Sequence, residues 1–400
     1  MPLGWIDYSK SERNKILSIL DMLSEPGTLD EIGIAPIRDG FANLFFPGTS
    51  TIQTRAKYFL IVPYIFKDIE LSKESAYGKV SSLASNKERQ TAEYLLQKEK
   101  DQTGIIGQRS LNQGSWVKRP PSEIYWAGMR RYDIFRGGGM TISEYLRSMC
   151  FLKNNKTISE KMGNRNDNKE EEDGDDKNAN NLYYHQFWNI PTYKTDWLDD
   201  LNMKLTISEG KFLKKQIIST CQNTLLEYIL SNNRNDILNA KSFEDLHSLL
   251  NSFPEEIKND YWLAYDFSYF TFVLRVVFNI IVSNGKNEEA NRYWEELKPQ
   301  LKEIANIDID KIFKRLELFN NPKLKLFLQK CQTNLLSDDI EALKKNITAR
   351  EVDLKGTNRA KTAHPGEFKQ DEWFCGYGLD YRFNDAKTII TDIFESEGLC

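Results

Sequence analysis

The sequence predicts a mainly α-helical, multi-helical protein with at most one small β element. Apolar residues recur every three or four positions through most of the chain, which is the spacing of a helix face. Residues that start and stop helices flank these stretches. Strand-like alternation is rare, and its best candidates are the short segments 105–106 and 381–383.

Four amphipathic helices are predicted in the first hundred residues. They run from Ser9 to the Pro26-Gly27 break, from about Pro36 to the Pro47-Gly48 break, from Thr49 or Ser50 to Pro63, and from Ser85 to Lys100. Ser9 and Glu12 form a capping box, in which each side chain satisfies the backbone N–H of the other residue. Pro63 should kink or end the third helix, because proline lacks the backbone donor that a helix needs.

The second half of the chain is also predicted to be helical. Glycines and prolines between Gly104 and Gly139 first predict loops with short strands or helical turns. Further helices are predicted at Ser208–Leu230, Phe243–Phe253, Trp262–Val282, Ala290–Lys302, Ile309–Leu318, Asp338–Leu354 and Asp385–Glu395. The run Leu263–Val282 is long enough to cross a membrane, but it contains Asp266 and Arg275. A charge in the middle of a span costs about 2.5–3.5 kcal/mol, so we expect a buried core helix and no membrane contact.

Charge composition limits the class of partner and suggests the domain organisation. The 400 residues include 54 Lys and Arg and 58 Asp and Glu, for a net charge of −4, so the chain is not a polycation that coats nucleic acid. Residues 163–181 hold seven acidic and three basic side chains and predict a linker or surface insertion without a packed core. The predicted domains are a helical N-terminal domain with a loop-rich basic and aromatic part (1–162), the acidic insertion (163–181), a helical C-terminal domain (182–343) and a basic, turn-rich segment (344–400).

No catalytic motif is recognisable in the sequence. The histidines His185, His247 and His364 lack the spacing of metal ligands, and the five cysteines include no pair with the spacing of a zinc site. We therefore predict no catalytic residue, no metal site and no cofactor. The absence of a signal-peptide pattern and of a disulfide framework predicts a cytoplasmic protein.

Two basic neighbourhoods are the best candidates for binding. Between Arg109 and Arg147, seven basic residues outnumber three acidic ones, and aromatic residues are interleaved. This mixture suits phosphate contact with base stacking, and it is also typical of protein interfaces or of solvated faces above core aromatics. The candidate binding residues here are Lys118, Arg119, Trp126, Arg130, Arg131 and Arg136. The second neighbourhood, 344–361, holds six basic and two acidic residues.

Several segments share their residues with one known family. They are Gly4–Ser9, Asp30–Ile34 with Ile37–Asp39, Phe45–Phe59, Arg119–Trp126 with Gly128, and Leu379–Phe383. Together they resemble the bacterial proteins grouped as domain of unknown function 6361, over nearly the whole chain except the acidic insertion. That family has no established activity, so the resemblance transfers no functional residue. It implies a bacterial source and, through the neighbourhood of such genes, a link to defence against foreign DNA.

Two basic residues within these segments are further binding candidates. Arg55 and Lys57 lie on the predicted third helix, where they could contact a phosphate or pair with an acid such as Asp39. The second role is purely structural and is the favoured one.

The sequence therefore predicts a non-catalytic interaction component of a bacterial multi-gene system. Its partners would be nucleic acid or proteins encoded by neighbouring genes, bound through local basic and aromatic patches. Two alternatives stay open. One is a metal-dependent nuclease with unidentified carboxylates, for which Glu351, Asp353 and Lys355 have the right local chemistry. The other is a scaffold that makes no contact with nucleic acid.

Overall fold

The computed structural model describes residues 30–163, 187–191 and 193–399, and for residues 156–163 the backbone alone. Helices dominate this part of the chain and no strand occurs in it, although an isolated antiparallel bridge joins Phe135 and Trp188. The predicted mainly α-helical fold class is thereby confirmed. The helix predicted at Ser9, the acidic stretch after Gly163 and His185 lie outside the described residues.

The α-helices are numbered here in chain order. They are α1 (Ala35–Phe45), α2 (Tyr58–Leu71), α3 (Tyr77–Lys98), α4 (Gln108–Asn112), α5 (Pro121–Arg131), α6 (Ile142–Gly163), α7 (Ile207–Thr220), α8 (Leu225–Ser231), α9 (Glu255–Val282), α10 (Glu288–Leu297), α11 (Leu301–Ile304), α12 (Ile309–Arg315), α13 (Pro322–Leu336), α14 (Ile340–Lys355) and α15 (Phe383–Glu397). Short 3₁₀ helices lie at Asn235–Asn239, Glu244–Ser252, Lys298–Gln300, Thr357–Arg359 and Lys361–Ala363. The single helix predicted over Ser208–Leu230 is broken into α7 and α8, and α13 is a helix that the sequence did not predict.

The described residues fall into two compact units. The first unit contains residues 47–163, 187–191, 193–239 and 384–399, and the second contains 30–46 and 240–383. Each unit is thus assembled from stretches that are far apart in sequence. The domain limits that composition predicts at residues 162, 181 and 343 stay a prediction.

The first unit is organised around α2, which is buried over most of its length. Five rings, from Phe66, Trp126, Phe135, Tyr145 and Trp188, pack into one aromatic cluster. The centroids of Trp126 and Phe135 lie 4.4 Å apart, and Phe66 stacks on Trp188 at 5.6 Å. Buried aromatic pairs of this kind stabilise a core beyond the area they bury.

The segment before α2 differs from the sequence prediction. The helix predicted to begin at residue 49 or 50 is wrong, because residues 49–57 form turns and extended backbone and α2 begins at Tyr58. A distant side chain holds these turns in place. The hydroxyl oxygen of Tyr125 accepts the backbone N–H groups of Thr54 and Arg55 at 2.8 and 3.0 Å.

Two prolines lie within helices, one of them in a region that was predicted to form loops. Pro63 lies inside α2 and does not end it, so the buried packing of this helix outweighs the roughly 3 kcal/mol that an interior proline costs. Pro121 occupies the first position of α5, a helix in the region predicted to be loops. A proline is well suited there, because the N–H that it lacks would have no partner within the helix.

The long helix α9 is central to the second unit, where it packs against α10 and α14. Among the described residues it is the helix long and apolar enough to cross a membrane, and 61% of its most apolar window is buried inside the protein. Its polar side chains bind backbone carbonyls there: Arg275 donates to Tyr377 O, and Asn279 Nδ2 donates to Phe374 O at 3.1 Å. Its apolar composition is therefore that of a helix packed within the protein.

Candidate interaction surface

Exposed cations of the first basic neighbourhood form the candidate surface, in the first unit. Arg109, Lys118, Arg131 and Arg147 are all exposed. Arg136 is exposed too, and its Nη2 lies 3.0 Å from Asp133 Oδ2 in a solvent-facing ion pair. Ion pairs of this kind are weak in water, so Arg136 can exchange Asp133 for another anion at little cost. We call these five residues the cationic surface.

Helix α5 separates two parts of this surface. Lys118 lies three residues before the first residue of the helix, with the half-buried Arg119 next to it in sequence, and Arg131 is the last helical residue. Eleven residues of helix span about 16 Å. A nucleic-acid backbone presents several phosphates over that distance. The position of Arg131 at the C-terminus is also favourable, because the helix dipole is negative there.

Two predicted residues of α5 hold the following loop and do not face solvent. Arg130 is half-buried, with its Nη1 3.5 Å from the carbonyl oxygen of Gly139. Trp126 is 6% exposed, and its Nε1 donates to the carbonyl of Met140 at 2.8 Å. The structure therefore assigns both side chains to the packing of the loop between α5 and α6.

Most of the interleaved aromatic residues are also internal. Tyr125, Trp126, Tyr132 and Phe135 are all buried, and Trp126 and Phe135 belong to the aromatic cluster. Base stacking needs an exposed ring face. These four rings offer none, and the fifth aromatic side chain of the region, Trp116, is half-buried with its ring against Gly107. The region therefore supplies positive charge with little exposed ring face.

Arg55 and Lys57 form ion pairs inside the first unit. Arg55 Nε lies 3.0 Å from Asp392 Oδ1, and Lys57 Nζ lies 2.7 and 2.6 Å from the two carboxylate oxygens of Glu209. Burial lowers the pKa of Arg55, but the hydrogen bond and charge of Asp392 outweigh it and raise the pKa overall. Lys57 is only 4% exposed. Arg55 is half-buried and both cations are held by acids, which favours the structural role; the paired acids are Asp392 and Glu209 and not Asp39.

Three cations of the second basic neighbourhood make similar internal contacts within the second unit. Lys361 Nζ binds Glu31 Oε1 at 2.6 Å, and Lys355 pairs with both Glu31 and Glu351. Arg350 donates to backbone carbonyls of the segment that contains Glu31. These three cations connect the segment that precedes α1 with α14 and the residues after it, whereas Lys345 and Arg359 of the same neighbourhood are exposed.

Buried carboxylates were harder to recognise from the sequence than the cations. Glu351 is fully buried and accepts hydrogen bonds from the backbone N–H and the hydroxyl of Thr362 at 2.9 and 2.7 Å. It also pairs with Lys355, four residues further along α14, at 2.9 Å. Glu31, 2% exposed, had no local signal at all. In the part of the chain that the structure describes, no three His, Cys, Asp or Glu side chains are placed to hold a metal ion.

Fold and surface define an α-helical protein with buried ion pairs and one exposed cationic surface. Residues 1–152 match the model of a family described as a family of unknown function (DUF6361). The resemblance predicted from the sequence is thereby confirmed over this range, and the similar segment Leu379–Phe383 lies beyond it. No curated protein and no solved structure matches the chain.

Proposed function

We propose that this protein is a non-catalytic interaction component of a bacterial multi-gene system linked to defence against foreign DNA. In this proposal it acts in the cytoplasm and binds double-stranded nucleic acid. The cationic surface makes the contact, through the phosphate backbone. Proteins encoded by neighbouring genes are its further partners.

The observation that carries the proposal is the exposure of the cationic surface, combined with the burial of the rings around it. Arg109, Lys118, Arg131 and Arg147 are exposed, whereas Lys355 and Lys361 of the other basic neighbourhood are paired internally. Lysine and arginine side chains neutralise phosphates and release counter-ions, which drives binding without reading sequence. Single-strand binding usually adds base stacking, which the buried rings do not supply. The duplex backbone is therefore the favoured ligand.

Salt dependence tests this proposal most directly. A fluorescently labelled DNA duplex is titrated with the full chain at several salt concentrations, and binding is followed by anisotropy. We expect the affinity to fall steeply with salt. In the double variant Lys118→Glu/Arg131→Glu, the slope of log K against log salt should shrink by about 0.9 for each phosphate that the variant no longer neutralises.

The matched control reverses two exposed lysines of the second unit, Lys298→Glu/Lys302→Glu, which changes the net charge equally. It should leave the slope unchanged. The proposal would be contradicted if the affinity of the wild type did not change with salt concentration, or if the two variants had equal slopes of log K against log salt. Absence of binding at every salt concentration would favour the scaffold. Cleavage of the duplex that needs Mg²⁺ or Mn²⁺ and stops with chelator would favour the nuclease.

A further inference from the structure

The outer face of α9 in the second unit carries a stripe of aromatic and acidic side chains that the proposed function does not use. Trp262, Asp266 and Tyr269 follow one another at helical spacing, with Tyr265 beside them. Trp262 is 42% exposed, a large value for an indole ring. His247, exposed on the neighbouring 3₁₀ helix, packs against it. We call these five residues the aromatic–acidic stripe.

The rings of the stripe support one another but do not form a flat platform. Trp262 meets Tyr265 at a centroid distance of 5.6 Å and an interplanar angle of 79°, and His247 meets Trp262 at 5.2 Å and 77°. Tyr265 and Tyr269 are 4.8 Å apart. A single side-chain cation needs only one ring face.

The charges along the stripe are negative. Asp266 is exposed, and no described residue donates a hydrogen bond to its carboxylate or forms an ion pair with it. Partial desolvation raises the pKa of Asp266, which is the effect expected where no cation lies close by. Glu244 accepts the hydroxyl of Tyr269 and adds a second carboxylate. The nearest lysine one turn earlier, Lys258, points to Glu255 at 3.5 Å.

We propose that the aromatic–acidic stripe is a docking surface for an extended basic segment of a protein partner. A lysine or arginine of that segment lies over the ring of Trp262, and Asp266 is its counter-ion. Carboxylates repel phosphates, so nucleic acid is the wrong ligand for this face. The inference is independent of the proposed function, because it concerns another unit and a ligand of opposite charge.

A binding experiment with defined peptides tests the stripe. The probes are a fluorescently labelled peptide of alternating lysine and glycine and the same peptide with glutamine in place of lysine, each titrated with the full chain. We expect the lysine peptide to bind and the glutamine peptide to fail. Trp262→Ala and Asp266→Asn should each weaken binding of the lysine peptide by about two- to fivefold.

Matched controls come from exposed positions of the same unit. Phe319→Ala removes an aromatic ring that is 73% exposed, and Glu303→Gln removes an exposed carboxylate; neither should change the affinity. Asp266→Asn keeps the shape of the side chain, so it decides the matter even if Trp262→Ala fails to fold. A wild-type chain that does not bind the lysine peptide, equal binding of the two peptides, or unchanged affinity in Asp266→Asn would each overturn the proposal.

Discussion

A single carboxylate on α3 shows how burial can raise the pKa of a side chain that has no cationic partner. Glu88 is 3% exposed, and its Oε1 accepts the backbone N–H of Ser122, in the first turn of α5, at 2.7 Å. No described lysine or arginine pairs with it. Burial raises the pKa of Glu88 to about 7, and the hydrogen bonds from Ser122 offset this only in part. The group therefore changes charge near neutral pH, unlike a carboxylate in water.

The raised pKa of Glu88 predicts a pH-dependent stability. The folded state holds the proton more tightly than the unfolded state, where the ordinary value is 4.5. The stabilisation that protonated Glu88 contributes is therefore fully present below pH 4.5, and it is lost as the pH rises through about 7. Glu88→Gln keeps the acceptor and stays neutral. Its free energy of unfolding, relative to the wild type, should increase by up to about 3 kcal/mol between about pH 5 and about pH 8.

Urea denaturation at the two pH values measures this difference. The control is Glu93→Gln, which changes a half-buried carboxylate on the same helix that pairs with Arg89 at the surface. A difference between Glu88→Gln and the wild type that stays constant with pH would contradict the assignment.

Single positive residues were the hardest part of the candidate surface to predict. The sequence places Arg55, Lys57 and Arg131 in similar polar surroundings, yet only Arg131 is exposed. The acid that pairs with Lys57 lies 152 residues further along the chain, and the acid of Arg55 lies 337 residues away. Local spacing carries no information about such partners. Composition therefore located the basic region but could not separate its surface from its interior.

At the scale of helices, the close packing of α5 depends on a glycine, which has no side chain. Gly128 is buried on this helix, and a Cβ atom there would lie 2.5 Å from the carbonyl oxygen of Gly48 and 2.8 Å from the ring of Phe59. The first contact is with backbone, which moves less readily than the end of a flexible side chain. The turn at Gly48 thus approaches α5 as closely as glycine permits.

We expect Gly128→Ala to destabilise the protein by roughly 1–3 kcal/mol, in spite of the better helix propensity of alanine. The matched control is Gly78→Ala in the first turn of α3, where no atom lies within 4 Å of the added Cβ. That change should be neutral or stabilising by up to about 1 kcal/mol. Urea denaturation of both variants checks the pair. Equal effects at the two positions would show that α5 is not packed as described.

Helix positions were predictable where amphipathic spacing and breakers agreed. Pro36 and the Pro47-Gly48 break framed α1 correctly, because the helix has a buried face and local stop signals. The false helix after residue 49 had an equally good apolar pattern. Its turns are held by Tyr125, a contact that spans 71 residues, and no local pattern could report it. The missed α5 did carry a signal, the proline at its first position with Glu123 in its first turn.

At the scale of the whole molecule, the matched family range and the folded first unit do not coincide. Residues 1–152 contain Arg55 and Lys57, but their acids, Asp392 and Glu209, come from far beyond that range. Both pairs are largely shielded from solvent. A buried cation that loses its acid leaves an uncompensated charge, which is strongly destabilising. The range that a family model matches can therefore be shorter than the piece of chain that folds.

We predict that a fragment of residues 1–152 does not fold cooperatively. Besides the two acids it lacks Trp188, which stacks on Phe66 in the aromatic cluster. Breaking one buried pair costs about 3–5 kcal/mol, so losing two approaches the whole stability of a typical domain, about 5–15 kcal/mol. Circular dichroism should show a steep thermal transition for the full chain and a broad, featureless one for the fragment. The full-length variant Lys57→Met/Glu209→Met should keep its steep transition, since no lone charge remains. A fragment that melts as steeply as the full chain, near the same temperature, would show that the later segments are dispensable for the first unit.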